Sequence, residues 1–503
     1  MGKKEKSTLF GYLTTIVGYD DTGIYAVKTP GIPWDDMNPF NLRYELVHYD
    51  QNMDRTNSLL LKLKSGKKYR RFELIFEVGG KLYLFSSFKD KKQKKKFLFV
   101  ESINKKLMTL NDDRQKVFEV DYSDKNLLSP KEFVYKISRD SSKIMFYIEA
   151  PQKGQQSKNF EICVMDRSFK VLWKKSITLP YFRRFFEIQK FEVDDFGNVH
   201  ILGKRYREGL REELREKANF QFHFLSYLEG GDETKDYPIE LEGVLPLNIE
   251  FNFTENHGIV CAGFYGKLGS STEDYISVEG VFHVSVDSET RKISQPDFEK
   301  ISWEYKVRNM VKRDRERRPL TDRINLEMEL TFFRLNELVV RRDGGIVLLA
   351  QETYEDKDGY ENIMAVSLSA DNNIEWVREI SKAEVVEVSF GYPISFSVAV
   401  VADKIHLIFN DVPEHLIDEQ DNISLSERQK SHMLVMATLT ASGDLSRQQL
   451  LSCRDSGVVM QSLLTSHIDE KTVILFGMDN YLYKENYRSG EKVNHRLAKI
   501  TLP

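Results

Sequence analysis

Residues 339–352 read "VVRRDGGIVLLAQE": an apolar run, a charged hinge with two glycines, then a second apolar run. Asp343 and Gly344 can take the positive φ that tight hairpin turns require, so the stretch predicts two antiparallel strands joined by a short turn. The same pattern recurs along the chain. It stands at 14–29 ("TTIVGYDDTGIYAVKT"), 73–88 ("ELIFEVGGKLYLFSSF"), 133–150 ("FVYKISRDSSKIMFYIEA") and 188–206 ("IQKFEVDDFGNVHILGKRY"). Further copies are 249–265 ("IEFNFTENHGIVCAGFY"), 396–410 ("FSVAVVADKIHLIFN") and 462–477 ("SLLTSHIDEKTVILFG"). With the first stretch these make eight copies. Self-similarity at a near-regular period marks a repeat architecture.

Most copies are followed by a third strand, a turn and a fourth strand. Examples are "FEICVMDRSFKVLWKKSI" (160–177), "FHVSVDSETRKI" (282–293) and "IMAVSLSADNNIEWVREI" (363–380). Trp173 and Trp376 fall at matching places beyond their turns, where core packing is the simplest role. Four short strands per module, without a crossover helix in each, exclude a parallel α/β fold and match a β-propeller blade. The sequence therefore predicts an all-β, closed β-propeller of eight four-stranded blades in one domain spanning 1–503, with seven blades as the alternative count. No fourth strand follows "RLAKITL" (496–502), while "STLFGYL" (7–13) precedes the first blade. The N-terminal segment is expected to complete the last blade and so remove an open sheet edge.

Composition bounds the function classes. A chain of 503 residues, 41% hydrophobic and 12% aromatic, can bury a large core. A formal net charge of −4 argues against general nucleic-acid binding, which needs a basic surface to displace phosphate counterions. Cys163, Cys261 and Cys453 lie far apart in apolar contexts, which supports neither a zinc site nor a disulfide framework. No run approaches a membrane-spanning length of uncharged apolar residues. The start, "MGKKEKSTLF", lacks the apolar core of a signal peptide, and Lys6 breaks the myristoylation pattern.

No HExxH, GxSxG, Walker loop or helix-opening GxGxxG occurs, so no catalytic residue, metal site or cofactor is expected. Histidines such as His200, His223, His283 and His406 fall in strands, where a core or surface role is the ordinary one. Aspartates in "DDTG" and "DDFG" are explained by turn chemistry, and their spacing lacks the ligand series of an EF-hand.

In a propeller the strand one–two and three–four turns share one face, and the remaining connections share the other. The first set is short here ("DDTG", "VGG", "RDSS", "DDFG"), whereas insertions at 89–96, 204–218, 266–279, 303–330 and 411–430 fall in the second. Glu and Arg at spacings of three and four predict a helix over 207–217, and Trp303, Val307, Met310 and Val311 form one stripe of a second helix. Helical insertions are thus expected on one face. That face also carries basic runs, "KDKKQKKK" (89–96) and "KRDRERR" (312–318). Lys91, Lys92, Lys94, Lys95, Arg313, Arg315, Arg317 and Trp303 are the candidate partner-binding residues, since a charged field of this kind suits docking to a protein.

Several stretches resemble a group of uncharacterised exported proteins of Bacteroidota bacteria. They are "FEVDDFGNVHILGKRY", "GIVCAGFYGK", "VVRRDGGIVLLAQETY", "IMAVSLSADNNIEWVREI" and "SFSVAVVADKIHLIFND", with a weaker likeness at "VGYDDTGIYAVKT". The resemblance lies in strands and turns. It implies a periplasmic or cell-surface setting and no known catalytic residues; a cytoplasmic setting is the alternative. Members of the group usually begin with a signal peptide, a pattern that the stretch "MGKKEKSTLF" does not match.

The leading expectation is a non-enzymatic binding or scaffolding propeller, a subunit of a cell-envelope or secretion-related assembly with a protein partner. A hydrolase or lyase at the channel mouth would need residues such as Glu73, Glu192 and Arg334 to converge. A carbohydrate-binding propeller would use exposed aromatics, with Tyr206, Tyr265 and Tyr354 as the candidates.

Overall fold

The computed structural model describes the chain apart from residues 8–11, 30–43, 66–67, 122–131, 150–155, 211–212, 215–216, 269–277, 303–332, 354–359, 383–395, 412–431, 461–464 and 479–492. The fold is all-β, a β-propeller of eight four-stranded blades. Two compact units make up the chain: Met1–Leu210 with Phe220–Pro238, and Arg211–Asn219 with Ile239–Pro503.

The first unit holds four blades. Blade one is Tyr12–Asp20, Gly23–Thr29, Glu45–Asp50 and Arg55–Leu60. Blade two is Arg71–Val78, Lys81–Asp90, Lys95–Asn104 and Gln115–Asp121, with a short piece, Thr109–Leu110, also paired to its third strand. Blade three runs Val134–Ile137, Lys143–Glu149, Ser157–Asp166 and Val171–Phe182. Blade four runs Phe186–Val193, Val199–Tyr206, Phe220–Leu228 and Glu233–Ile239.

The second unit repeats the plan. The predicted hairpin at 339–352 is the antiparallel pair Phe333–Val340 and Ile346–Thr353, continued by Tyr360–Leu368 and Ile374–Ile380. Blade five centres on Ile259–Gly266 and blade seven on Lys404–Asp411. In blade eight, Thr472–Met478 pairs with Val493–Thr501 on one side and with the short pieces Val459–Met460 and Ser466–His467 on the other.

Why these residues form strands is visible in the packing. Second and third strands are buried on both faces, so they read as continuous apolar runs instead of alternating ones. Phe85 and Phe146 are fully buried, and their rings meet with centroids 5.0 Å apart between blades two and three. Turns follow from the aspartates. Asp194 Oδ1 accepts from the backbone N–H of Phe196 (3.0 Å) and Asn198 (2.8 Å), and Asp166 Oδ1 accepts from Ser168 (2.8 Å) and Lys170 (3.1 Å). These carboxylates therefore have local partners that close the turn.

Both tryptophans do more than fill space. The Trp173 indole donates to Gly197 O in the next blade (2.9 Å), and Trp376 donates to Ala441 O (2.9 Å). Each ties the fourth strand of one blade to a short turn of its neighbour. Cys163 and Cys261 are buried and free, as expected of small apolar fillers, and burial pushes the Cys163 thiol up to about 12.

One expectation fails. Residues 207–217 contain no helix among the described positions; instead Glu213–Leu214 pairs antiparallel with Lys217–Ala218. Ion pairs at helical spacing stabilise a helix by only a few tenths of a kcal/mol each (about 0.2–0.5), and a segment this short cannot repay helix nucleation. The second predicted helix, 303–330, lies wholly outside the described residues. Among described residues the only α-helical turn is Cys453–Ser456.

Candidate functional site

The basic run 89–96 is not a loop insertion. Lys89 and Asp90 end the second strand of blade two, Lys95 and Lys96 begin the third, and only residues 91–94 form the tip. Asp90 fixes that tip: its Oδ1 accepts from the N–H of Lys92 (2.9 Å) and Gln93 (3.1 Å), and Lys94 takes a left-handed φ of 55°. Lys91, Lys92 and Lys94 are exposed. Lys95 is half-buried and engaged by Glu119 (2.6 Å), with Asp121 at 3.9 Å. Hydrogen bonds from Lys116 and Lys95 hold the Glu119 carboxyl at about 2.

Beneath the tip, blade two carries buried polar groups on both faces. Second-strand neighbours Ser86 and Ser87 are both buried and, by strand alternation, point to opposite sides. On the blade-one side, Arg70 donates to Ser86 Oγ (2.8 Å) and to Glu101, with Arg70 and Glu101 side chains 10% and 3% exposed.

On the blade-three side stand Glu73 and Lys96, 3.7 Å apart, with side chains 3% and 8% exposed. Glu73 is displaced by a β-bulge: Phe72 pairs with Ser86 and Leu74 with Phe85, leaving Glu73 without an opposite residue. Bulges of this kind re-aim a side chain. Burial pushes the Glu73 carboxyl up against the pull of Lys96, and burial pushes Lys96 down against the pull of Glu73. Lys96 Nζ also lies 4.3 Å from the Phe133 ring centroid. Above this pair, Arg71 and Glu132 form an ion pair whose side chains are 47% and 62% exposed. Tyr44 stacks on Phe72 at 4.3 Å, and its hydroxyl, pushed up by burial, feels the charges of Arg71, Glu132 and Glu73.

The remaining candidates fall elsewhere. Glu192 pairs with Lys136 (2.9 Å), so Glu73 and Glu192 are each engaged by a lysine of their own. Arg334 is exposed on the first strand of blade six, in the second unit. Tyr206 is buried, with Lys204 Nζ 5.2 Å from its ring, whereas Tyr265 is half-buried against Phe298. Trp303, Arg313, Arg315, Arg317 and Tyr354 lie outside the described residues.

Buried histidines have hydroxyl partners in neighbouring strands. His200 Nδ1 meets Ser226 Oγ (2.9 Å) and its Nε2 meets Asp194 Oδ2 (3.3 Å), while His406 Nδ1 meets Thr438 Oγ1 (2.9 Å). A further network joins blades three and four: His223 Nδ1 lies 2.8 Å from the Tyr181 hydroxyl and 2.9 Å from Asp236 Oδ1, and Tyr181 also donates to Asp236. Sequence reasoning missed Glu73–Lys96 as a pair, because Lys96 sits in a run that reads as solvated loop. Among the described residues, no group of three or more His, Cys, Asp or Glu side chains is placed to hold a metal ion. None of the described helices is long and apolar enough to cross a membrane.

No family model and no curated protein matches the chain. Solved structures of similar fold include the polysaccharide lyase Uly1, at 9% identity and TM-score 0.41 over 100% of this chain and 99% of that one. The β-propeller domain of the Trilobed protease from Pyrococcus furiosus is similar at 11% identity and TM-score 0.35, over 89% of this chain and 98% of that one. The WD40 domain of SCAP from fission yeast is similar at 8% identity and TM-score 0.37, over 98% and 94%. Likeness at this level carries no statement on chemistry, and the β-propeller assignment rests on the strand topology of the chain itself.

Proposed function

We propose that the chain is a non-enzymatic binding propeller, a subunit of a bacterial cell-envelope assembly, that docks an acidic surface of a protein partner on the tip of blade two. The observation carrying this is the tip at 91–94, where Asp90 holds three exposed lysines in one turn conformation. A fixed, exposed positive tip speeds encounter with an acidic surface while adding little to the stability of the free protein. Strands of ten residues on either side, Lys81–Asp90 and Lys95–Asn104, give it a rigid support. The cell-envelope setting follows from the resemblance of the strand and turn stretches.

The test is quantitative capture of envelope proteins, in parallel, with the parent chain and a Lys91→Glu, Lys92→Glu, Lys94→Glu variant. A partner enriched by the parent, depleted with the variant and released by raised salt is expected. Equal capture by both would contradict the assignment.

A further inference from the structure

We infer that the long-loop end of blade two is also a binding site for a small carboxylate-bearing ligand, gripped by Arg71 once Glu132 swings aside, with Glu73, Lys96 and Tyr44 addressing its hydroxyl groups. Three observations meet here. The Arg71 side chain is 47% exposed and is paired with Glu132, whose side chain is 62% exposed. An exposed pair contributes little, so a ligand carboxylate can take the place of Glu132 and keep the same fork geometry. In the same cluster the Oε1 atom of Glu73 is buried, and Lys96 Nζ at 3.7 Å stands beyond hydrogen-bond reach of it. Such orphaned buried oxygens are rare and mark a place where a donor is missing. A β-bulge, not regular pleating, aims Glu73 at this spot.

The surroundings suit a hydroxy acid better than a bare anion. Ser87 and Lys96 face Glu73 from the second and third strands, Glu132 and Phe133 from the entry to blade three, and Tyr44 from blade one. Burial raises the Glu73 carboxyl and lowers the Lys96 amine, each against the pull of the other.

The site is independent of the lysine tip, and a different experiment tests it. D-glucuronate is titrated calorimetrically into the full chain, with D-glucose as the uncharged control. Saturable binding of glucuronate and none of glucose is expected. Arg71→Lys should weaken binding about tenfold, through loss of the bidentate grip. Glu73→Gln should weaken it as well, with a lower Tm because Lys96 loses its buried counter-charge, so the Arg71 and Glu132 variants carry the test. Glu132→Gln should strengthen it several-fold, because it removes the internal competitor; a merely structural ion pair would not produce that gain. No saturable heat with the parent, equal affinity in Arg71→Lys, or weaker binding in Glu132→Gln would each overturn the site.

Discussion

Glu73 and Lys96 are both almost wholly buried, and burial works against the charged form of each. Two desolvated ions at 3.7 Å recover only part of their hydration through mutual attraction. Replacing the pair by apolar residues of similar size, Glu73→Leu with Lys96→Met, is expected to raise stability, by about 1–4 kcal/mol where the new side chains pack well. A lower Tm for the double variant would mean that the pair holds the fold together. Asp20 behaves in the opposite sense. Burial pushes its carboxyl up, but hydrogen bonds from Thr22 and Lys105 outweigh this and hold it at about 2, below the ordinary 3.8. The native state therefore binds a proton there more weakly than the unfolded chain does. Its stabilisation is complete above the ordinary carboxylate value and is lost as pH falls toward about 2. Asp20→Asn should lower Tm at neutral pH and flatten its decline in acid; parallel Tm–pH curves for variant and parent would contradict this. Neither residue's role was legible beforehand. An extra residue in a strand leaves no mark on the alternation of neighbours, and Lys105 lies 85 positions from Asp20.

Elements were the most legible level, because hairpins depend on local chemistry. Asp343 and Gly344 specify their turn from within it: Asp343 Oδ1 accepts from Gly345 N (3.0 Å), and Gly344 takes φ 88°. The 207–217 insertion was misread because spacing alone scored the ion pairs and ignored Gly209, which adopts φ 61° in the turn before Glu213–Leu214. What the strand pattern could not show is how fourth strands grip the next blade. Gly443 has φ 80°, and a Cβ there would meet the Trp376 ring at 2.6 Å, while the Trp376 indole reaches Ala441 O. Gly443→Ala is thus expected to lose at least about 1–2 kcal/mol from the left-handed backbone alone, before the ring clash is added. An unchanged denaturation midpoint would show that the turn can relax away from Trp376.

At the scale of the whole molecule, eight modules and their order could be read from the repeat, while surface chemistry could not. The lysine run announced a charge but not its division into three exposed lysines at the tip, Lys89 half-buried at a strand end, one engaged by Glu119 and one buried against Phe133. The N-terminal segment is held within its own unit by Lys3 to Asp54 (2.8 Å) and by a buried Lys28–Glu5 pair (2.9 Å). Deleting residues 1–7 removes both partners and leaves Lys28 buried without its counter-charge, so Tm should fall; a truncated chain as stable as the parent would show that the segment contributes nothing to the fold.

Docking through the tip of blade two is tested most directly by the association rate of the captured partner, measured at low and high salt. Asp20 and Asp194 are unsuitable as charge controls because both hold turns together, whereas Asp21 is exposed at a short turn of blade one. Reversing Lys91, Lys92 and Lys94 to Glu should slow association steeply at low salt, and the difference from the parent should shrink as ions screen the tip. Asp21→Lys should associate at the parental rate. An unchanged rate in the lysine variant, or a slowing confined to Asp21→Lys, would place the working surface elsewhere on the propeller.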